Sequence, residues 1–181
     1  MTPTFDETLP DHCAKSVVVL CCGNPLRGDD GFGPAVAARL NAGDVPEWAV
    51  VIDAGTGVRG LLFDILTSER RPDRVIVVDA LDLSSDAQTP PDWVREPGEI
   101  FEIPIDRLEV PSSVEASVHL APTSGLLRAL HDADVRIEIL ACQIASIPGG
   151  VSEGLSPPVA AAVERASGSI EGRFLREPPL T

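Results

Sequence analysis

Three short apolar runs each lead into a turn that carries a carboxylate, and that repetition is what most limits the fold. The runs are Ser16 to Cys22, Trp48 to Ile52 and Arg74 to Val78. The turns after them hold Asp29 and Asp30 between Gly23 and Pro34, then Asp53-Ala54-Gly55-Thr56-Gly57, then Asp79. Alanine- and leucine-rich segments, Ala35 to Leu40 and Gly60 to Leu66, fill the gaps with helical periodicity, and Asn41-Ala42-Gly43-Asp44 closes the first of them. Continuous apolar strands alternating with helices predict a parallel sheet buried on both faces. Right-handed crossovers then bring the strand ends to one edge, where ligands of open α/β sheets sit. Carboxylates from separate turns are therefore expected to share one cleft.

Further along, Ile100 to Ile103 reads as an edge strand, antiparallel to the rest. Thr123 to Leu130 reads as a helix, Arg136 to Cys142 as a strand, and Pro158 to Ser167 as a last helix opened by the cap-and-proline pair Ser156-Pro157. The predicted fold class is α/β: a three-layer α/β/α sandwich, phosphorylase/hydrolase-like, around a mostly parallel twisted sheet of about five strands. Residues 1–15 are expected to form a flexible lead-in, 16–170 a single domain and 171–181 a loose tail, which suits a chain of 181 residues.

A net charge of −14 argues against nucleic acid as a partner, because a phosphate backbone is repelled. No apolar stretch approaches the roughly 18 residues that span a bilayer, so no membrane role is expected. The acidic start, Met1 to Glu7, has no apolar signal core. The four cysteines, Cys13, Cys21, Cys22 and Cys142, contain no C-x-x-C pair and read as buried thiols in a reducing cytoplasm. Cys21 and Cys22, adjacent in a strand, are expected on opposite faces.

Gly23-x4-Gly28 imitates the spacing of a phosphate loop, but Asp29 and Asp30 follow it where Lys and Ser/Thr belong. Carboxylates there point to a cation or to acid–base chemistry. Asp is also a favoured helix cap, so one of the pair is expected to cap and the other to work. Of the three histidines, His12 is expected to be solvated in the lead-in, and His131 to suit the end of a helix dipole. His119, flanked by Val118 and Leu120, needs a hydrogen-bond partner or a metal. Asp30, Asp79 and His119 make an O,O,N donor set suited to a borderline divalent ion such as nickel, zinc or iron, and three protein ligands leave positions open for substrate. No G-x-S-x-G elbow is present. D-A-G-T-G has its threonine displaced from the place it takes in aspartic proteases.

The motifs G-N-P-L-R-G-D-D-G-F-G-P (Gly23 to Pro34), D-A-G-T-G (Asp53 to Gly57), V-V-D-A (Val77 to Ala80), S-V-H (Ser117 to His119) and G-L-S-P (Gly154 to Pro157) occur in that order. Together they resemble the nickel–iron hydrogenase maturation peptidases over about Ser16 to Ala166. The D-D-G-F-G-P-A-V wording and C-Q-I-A-S-I-P (Cys142 to Pro148) look most like the branch serving archaeal deazaflavin-reducing hydrogenases. The resemblance implies an endopeptidase that removes the C-terminal extension of a hydrogenase large-subunit precursor after nickel insertion. It carries the family's metal-contacting residues onto Asp30, Asp79 and His119, with nickel brought by the precursor as the recognition signal, so that the resting enzyme is metal-free. Asp53, Gly55 and Thr56 are expected to line the groove for the precursor tail. Many members have Glu where this chain has Asp30, one methylene longer. Two alternatives stand beside it: a nickel-sensing maturation chaperone that uses the same three ligands and does not cut, and another small α/β hydrolase of similar sandwich fold acting on nucleosides or blocked amino termini. The second needs a stacking pocket, and aromatic residues make up only 4% of the chain, with no tyrosine.

Overall fold

The computed structural model describes residues 9–83, 93, 95–109, 123–145 and 147–177. In chain order the elements are helix α1 (Asp11–Ala14), strand β1 (Val17–Cys22), a 3-10 turn (Gly28–Gly31), α2 (Phe32–Asn41), β2 (Ala49–Gly55), α3 (Val58–Thr67), β3 (Arg74–Leu81), β4 (Ile100–Glu102), a second 3-10 turn (Ile105–Glu109), α4 (Ser124–Asp132), β5 (Arg136–Gln143) and α5 (Pro157–Ile170). The sheet has five strands in the order β2-β1-β3-β5-β4. β1, β2, β3 and β5 run parallel, and β4 pairs antiparallel with β5 at the edge, as the weak alternation of Ile100 to Ile103 predicted.

Two apolar cores, one on each face, explain why the strands are apolar at nearly every position. Val17, Val19, Cys21, Ile76 and Val78 pack with Phe32, Val36 and Leu40 of α2 and Val159, Ala162 and Ala166 of α5. Val18, Leu20, Cys22, Val75 and Val77 face the other way, onto Leu62 and Ile65 of α3 and Leu127 and Leu130 of α4. Cys21 and Cys22 thus lie on opposite faces, and all four cysteines are free and buried. From β1 the chain passes through α2 to β2 on one side, then through α3 on the opposite face to β3 on the other side. That reversal makes the carboxyl ends of β1 and β3 the switch point of the sheet, the position where open α/β sheets bind their ligands.

Several boundaries differ from the expectations. β3 extends through Asp79 to Leu81 because Ala80 and Leu81 continue the apolar pattern and pair with Cys142 and Gln143, so Asp79 belongs to the strand and not to a turn. β2 likewise runs to Gly55 and includes Asp53. The lead-in is not free as far as residue 15: α1 buries Cys13 in the α3-side core. His12, expected to be solvated, is 9% exposed, with Nε2 3.5 Å from the Asp64 carboxylate on α3. The tail is also held. Glu171–Leu175 form a π-helical turn continuing α5. Phe174, four residues after Ile170, extends the apolar stripe of that helix into the core. The Arg74 guanidinium covers the Phe174 ring at 5.0 Å. Among the described residues no helix is long and apolar enough to cross a membrane.

Candidate active site

The site begins where β1 ends. Gly23 has φ +130°, and a Cβ there would overlap the Asp30 carbonyl oxygen, so only glycine allows the chain to fold back on itself at this point. The Asn24 N–H reaches both the Asp30 carbonyl oxygen and the Asp30 carboxylate Oδ2, each at 3.1 Å. The Asn24 side chain accepts from the Leu26 N–H at 3.0 Å, closing an Asx turn inside the loop. Asp30 is thereby held back against the end of its own strand and is 3% exposed. Gly33 serves the same packing from the helix side, bringing the first turn of α2 onto the Cys22 backbone.

The two adjacent aspartates part company. Asp29 Oδ1 accepts from the Ser156 N–H at 2.6 Å, and its Oδ2 accepts from the Ser156 hydroxyl at 2.9 Å. Asp29 therefore does not cap α2. It ties the 3-10 turn to the start of α5, where a negative charge suits the helix dipole. Ser156 holds the N-cap position as expected, but its side chain makes no capping hydrogen bond.

Asp79 is fully buried, with its Oδ1 accepting from the Ala80 N–H at 2.9 Å. Cys21 pairs with Val78, so Asp79 lies level with Cys22 on the neighbouring strand, and by alternation on the same face. The 3-10 turn bearing Asp30 packs directly against β3. Burial, followed by the negative charge of Asp79, Cys21, Asp30 and Asp53, pushes the Cys22 thiol well above its ordinary range. Carboxylates from β2, from β3 and from the 3-10 turn therefore bear on the end of β1.

Asp53 pairs with Cys21 and Gly55 with Cys22, leaving Ala54 as the extra residue of a bulge. Asp53 is exposed, and its Oδ1 accepts from the Gly55 N–H at 3.1 Å. The Gly55 carbonyl accepts from the Gly23 N–H at 3.0 Å, which joins the two glycine turns. Thr56 is exposed beside them. His119 lies outside the described residues. Among the described residues no three His, Cys, Asp or Glu side chains are grouped to hold a metal ion, so an O,O,N site here needs a ligand beyond them.

The sequence reading missed Asn24 as the tether of Asp30 and Ser156 as the partner of Asp29. The signal for Ser156 is the pair Pro157-Pro158, which removes the N–H of the second helical residue, one of the two a capping serine usually serves.

The comparisons with known proteins agree with this geometry. A family model described as hydrogenase maturation protease matches residues 34–173. A Methanocaldococcus jannaschii protein named as a candidate hydrogenase maturation protease is 31% identical over 161 residues, covering 88% of this chain and 97% of its own. The coenzyme F420 hydrogenase subunit delta of Methanothermobacter thermautotrophicus is 31% identical over 155 residues, 83% of this chain and 89% of its own. Both come from archaea, the branch expected from the motif wording. The crystal structure of a hydrogenase 3 maturation protease superposes with a TM-score of 0.70 at 27% identity, covering 93% of this chain and 99% of that one. With its α/β/α sheet, its strand-end carboxylates and matches over nearly its whole length, the chain belongs to the hydrogenase maturation proteases, a family of endopeptidases.

Proposed function

We propose that the protein removes the C-terminal extension of a nickel–iron hydrogenase large-subunit precursor, and that nickel already seated in the precursor is its recognition signal. The observation that carries this reading is that Asp30 and Asp79, both buried, each bear on Cys22 at the end of β1, with the turn of Asp30 packed against the strand of Asp79. Hard carboxylate oxygens together with the imidazole of His119 suit a borderline divalent ion. Asp30 and Asp79 offer oxygens to the precursor's nickel, His119 offers nitrogen, and the scissile bond is held beside them. Nickel contributes Lewis-acid polarisation at that bond. Asp53, Gly55 and Thr56, next to the Gly23 turn, line the path of the precursor tail. Four free thiols suit a reducing cytoplasm, and a charge of −14 fits a protein partner and not nucleic acid.

The test is a mass-spectrometric assay on nickel-loaded precursor, comparing wild type, His119→Ala and nickel-free precursor. Loss of a short C-terminal peptide with wild type and nickel alone is the expected result. Stable binding without loss of mass would overturn the peptidase reading in favour of a chaperone, and cleavage by His119→Ala would remove the proposed histidine.

A further inference from the structure

We propose that Asp29 is a positioning residue whose clamp to Ser156 sets the orientation of the turn carrying Asp30, an inference that rests on the site proposed above. Successive residues of a 3-10 helix point about 120° apart. In the Gly28–Gly31 turn, Asp29 accordingly faces α5 while Asp30 faces Asn24 at the end of β1. Rolling the turn about its axis moves both carboxylates together, so a contact that fixes one fixes the other.

The clamp has features that a simple strut does not need. Both Asp29 oxygens are used, at 2.6 and 2.9 Å, on the N–H and the hydroxyl of one residue 127 positions away. An N-cap hydroxyl ordinarily accepts from the N–H of the second or third helical residue. Pro157 and Pro158 occupy the first two positions of α5 and carry no N–H, and the Ser156 hydroxyl is turned to Asp29 instead. The rest of the turn is bound to the same loop. Arg27 bridges Ser152 in parallel, the Ser152 N–H donates to the Leu26 carbonyl at 2.9 Å, and an Arg27 guanidinium N–H donates to the Pro148 carbonyl at 3.3 Å. The G-L-S-P motif thus acts from the outside of the turn, and Asp30 works on the inside.

The Asn24 amide reads the position of Asp30 without reference to activity, because it donates to both Asp30 oxygens. Its hydrogen exchange is measured by NMR in wild type, Asp29→Asn, Ser156→Ala and Ser156→Thr, beside the core amides of Val19 and Val77 and beside kcat/KM on nickel-loaded precursor. Asp29→Asn and Ser156→Ala are expected to speed exchange at Asn24, and to lower kcat/KM, by about tenfold or more, the scale of one charge-assisted hydrogen bond. Core amides should hold their rates, and Ser156→Thr, which keeps the hydroxyl, should stay near wild type. Unchanged exchange at Asn24, or acceleration shared equally with the core, would overturn the proposal. Faster exchange with undiminished kcat/KM would overturn it too, because the reaction would not need the position the clamp sets. A wild type that does not cleave refutes the functional reading alone, and the exchange rates still decide whether the clamp holds the turn.

Discussion

Gly33 and Gly60 sit in the first turns of two helices, yet the same substitution should act in opposite directions at the two. Replacing a helical glycine by alanine is worth about 0.5 to 1 kcal/mol from backbone entropy. At Gly60 in α3 nothing lies within 4 Å of the new Cβ, so that gain should appear as added stability. At Gly33 the Cβ would lie 2.8 Å from the Cys22 amide nitrogen and 2.9 Å from its carbonyl carbon, and closer still to the carbonyl oxygen. Those are backbone atoms at the end of β1, where Cys22 pairs with Gly55 of β2, and no side-chain rotation can clear them. Ordinary contact begins near 3.4 Å, so clearing the carbonyl oxygen would require α2 to move off β1 by more than about 1 Å. Overpacking of this kind costs about 1 to 3 kcal/mol, and a rigid backbone neighbour favours the upper end. Less the helix gain, Gly33→Ala should lose about 2 kcal/mol, which lowers Tm by about 4 to 8 °C in a domain of this size. Thermal melts of wild type and both variants provide the comparison, with a cleavage assay at a temperature where all three are folded. Gly33→Ala should also lose cleavage, since α2 carries the Asp30 turn with it. A Gly33→Ala protein as stable as Gly60→Ala would refute the close approach on which the site depends.

Asp79→Asn keeps an acceptor for the Ala80 N–H, so the protein should fold while cleavage falls by about a hundredfold or more, the scale of losing one electrostatic partner of a transition state; undiminished cleavage would remove Asp79 from the site. Asp30→Glu shifts the carboxylate outward by one C–C bond, about 1.5 Å, and should keep cleavage, because Asn24 retains the Asp30 carbonyl as acceptor; abolished cleavage would show that this site is set to the shorter side chain. Burial first, and then the charge of Asp29, push the Cys142 thiol from its ordinary 9.0 up to about 12. The native state therefore holds a proton that the unfolded chain releases, so this contribution is intact below pH 9 and is lost as pH rises towards 12. The chain has no tyrosine to titrate in that window, and a Tm that stays flat across it would contradict the thiol's burial. If nickel arrives with the precursor, chelator treatment of the isolated protein should leave Tm unchanged, whereas a fall would reveal a resident ion that stabilises the native state.

The sheet was legible because both of its faces are covered. An unbroken apolar run such as Val17 to Cys22 has few other uses, and its period cannot be confused with an amphipathic helix. The approach of the Asp30 turn to β3, the strand of Asp79, follows from topology, since right-handed crossovers leave the ends of parallel strands at one edge. What escaped the sequence depended on contacts between distant residues. Nothing local to Asp29 indicates that its partner is Ser156, and an N-terminal cap on α2 was the natural expectation. The burial of His12 and Phe174 likewise depends on surfaces that exist only once α3 and α5 are in place. Strand ends were set short because an aspartate reads as a turn residue, yet at Asp79 the ladder with β5 outlasts the apolar run by three residues.

That last difference bears on how the site works. A carboxylate in a loop would be solvated and free to change its direction, whereas Asp79 is a strand residue paired with Ala141 in the ladder to β5, one position past the last pair with β1. Asp30 is held by other means, tied to Asn24 within its loop and bounded by Gly23 and Gly33, where backbones meet too closely for any side chain. One carboxylate is thus fixed by the sheet and the other by a turn packed on it. The turn is the part able to move, since short loops open at lower free energy than central strands. In the site proposed above, accommodation of an incoming precursor would fall to the Asp30 side, with Asp79 as the fixed reference. The Asp30 turn is strapped to the loop before α5 through Arg27, Gly28 and Asp29, and under the clamp proposed above those contacts would hold it in position before substrate arrives.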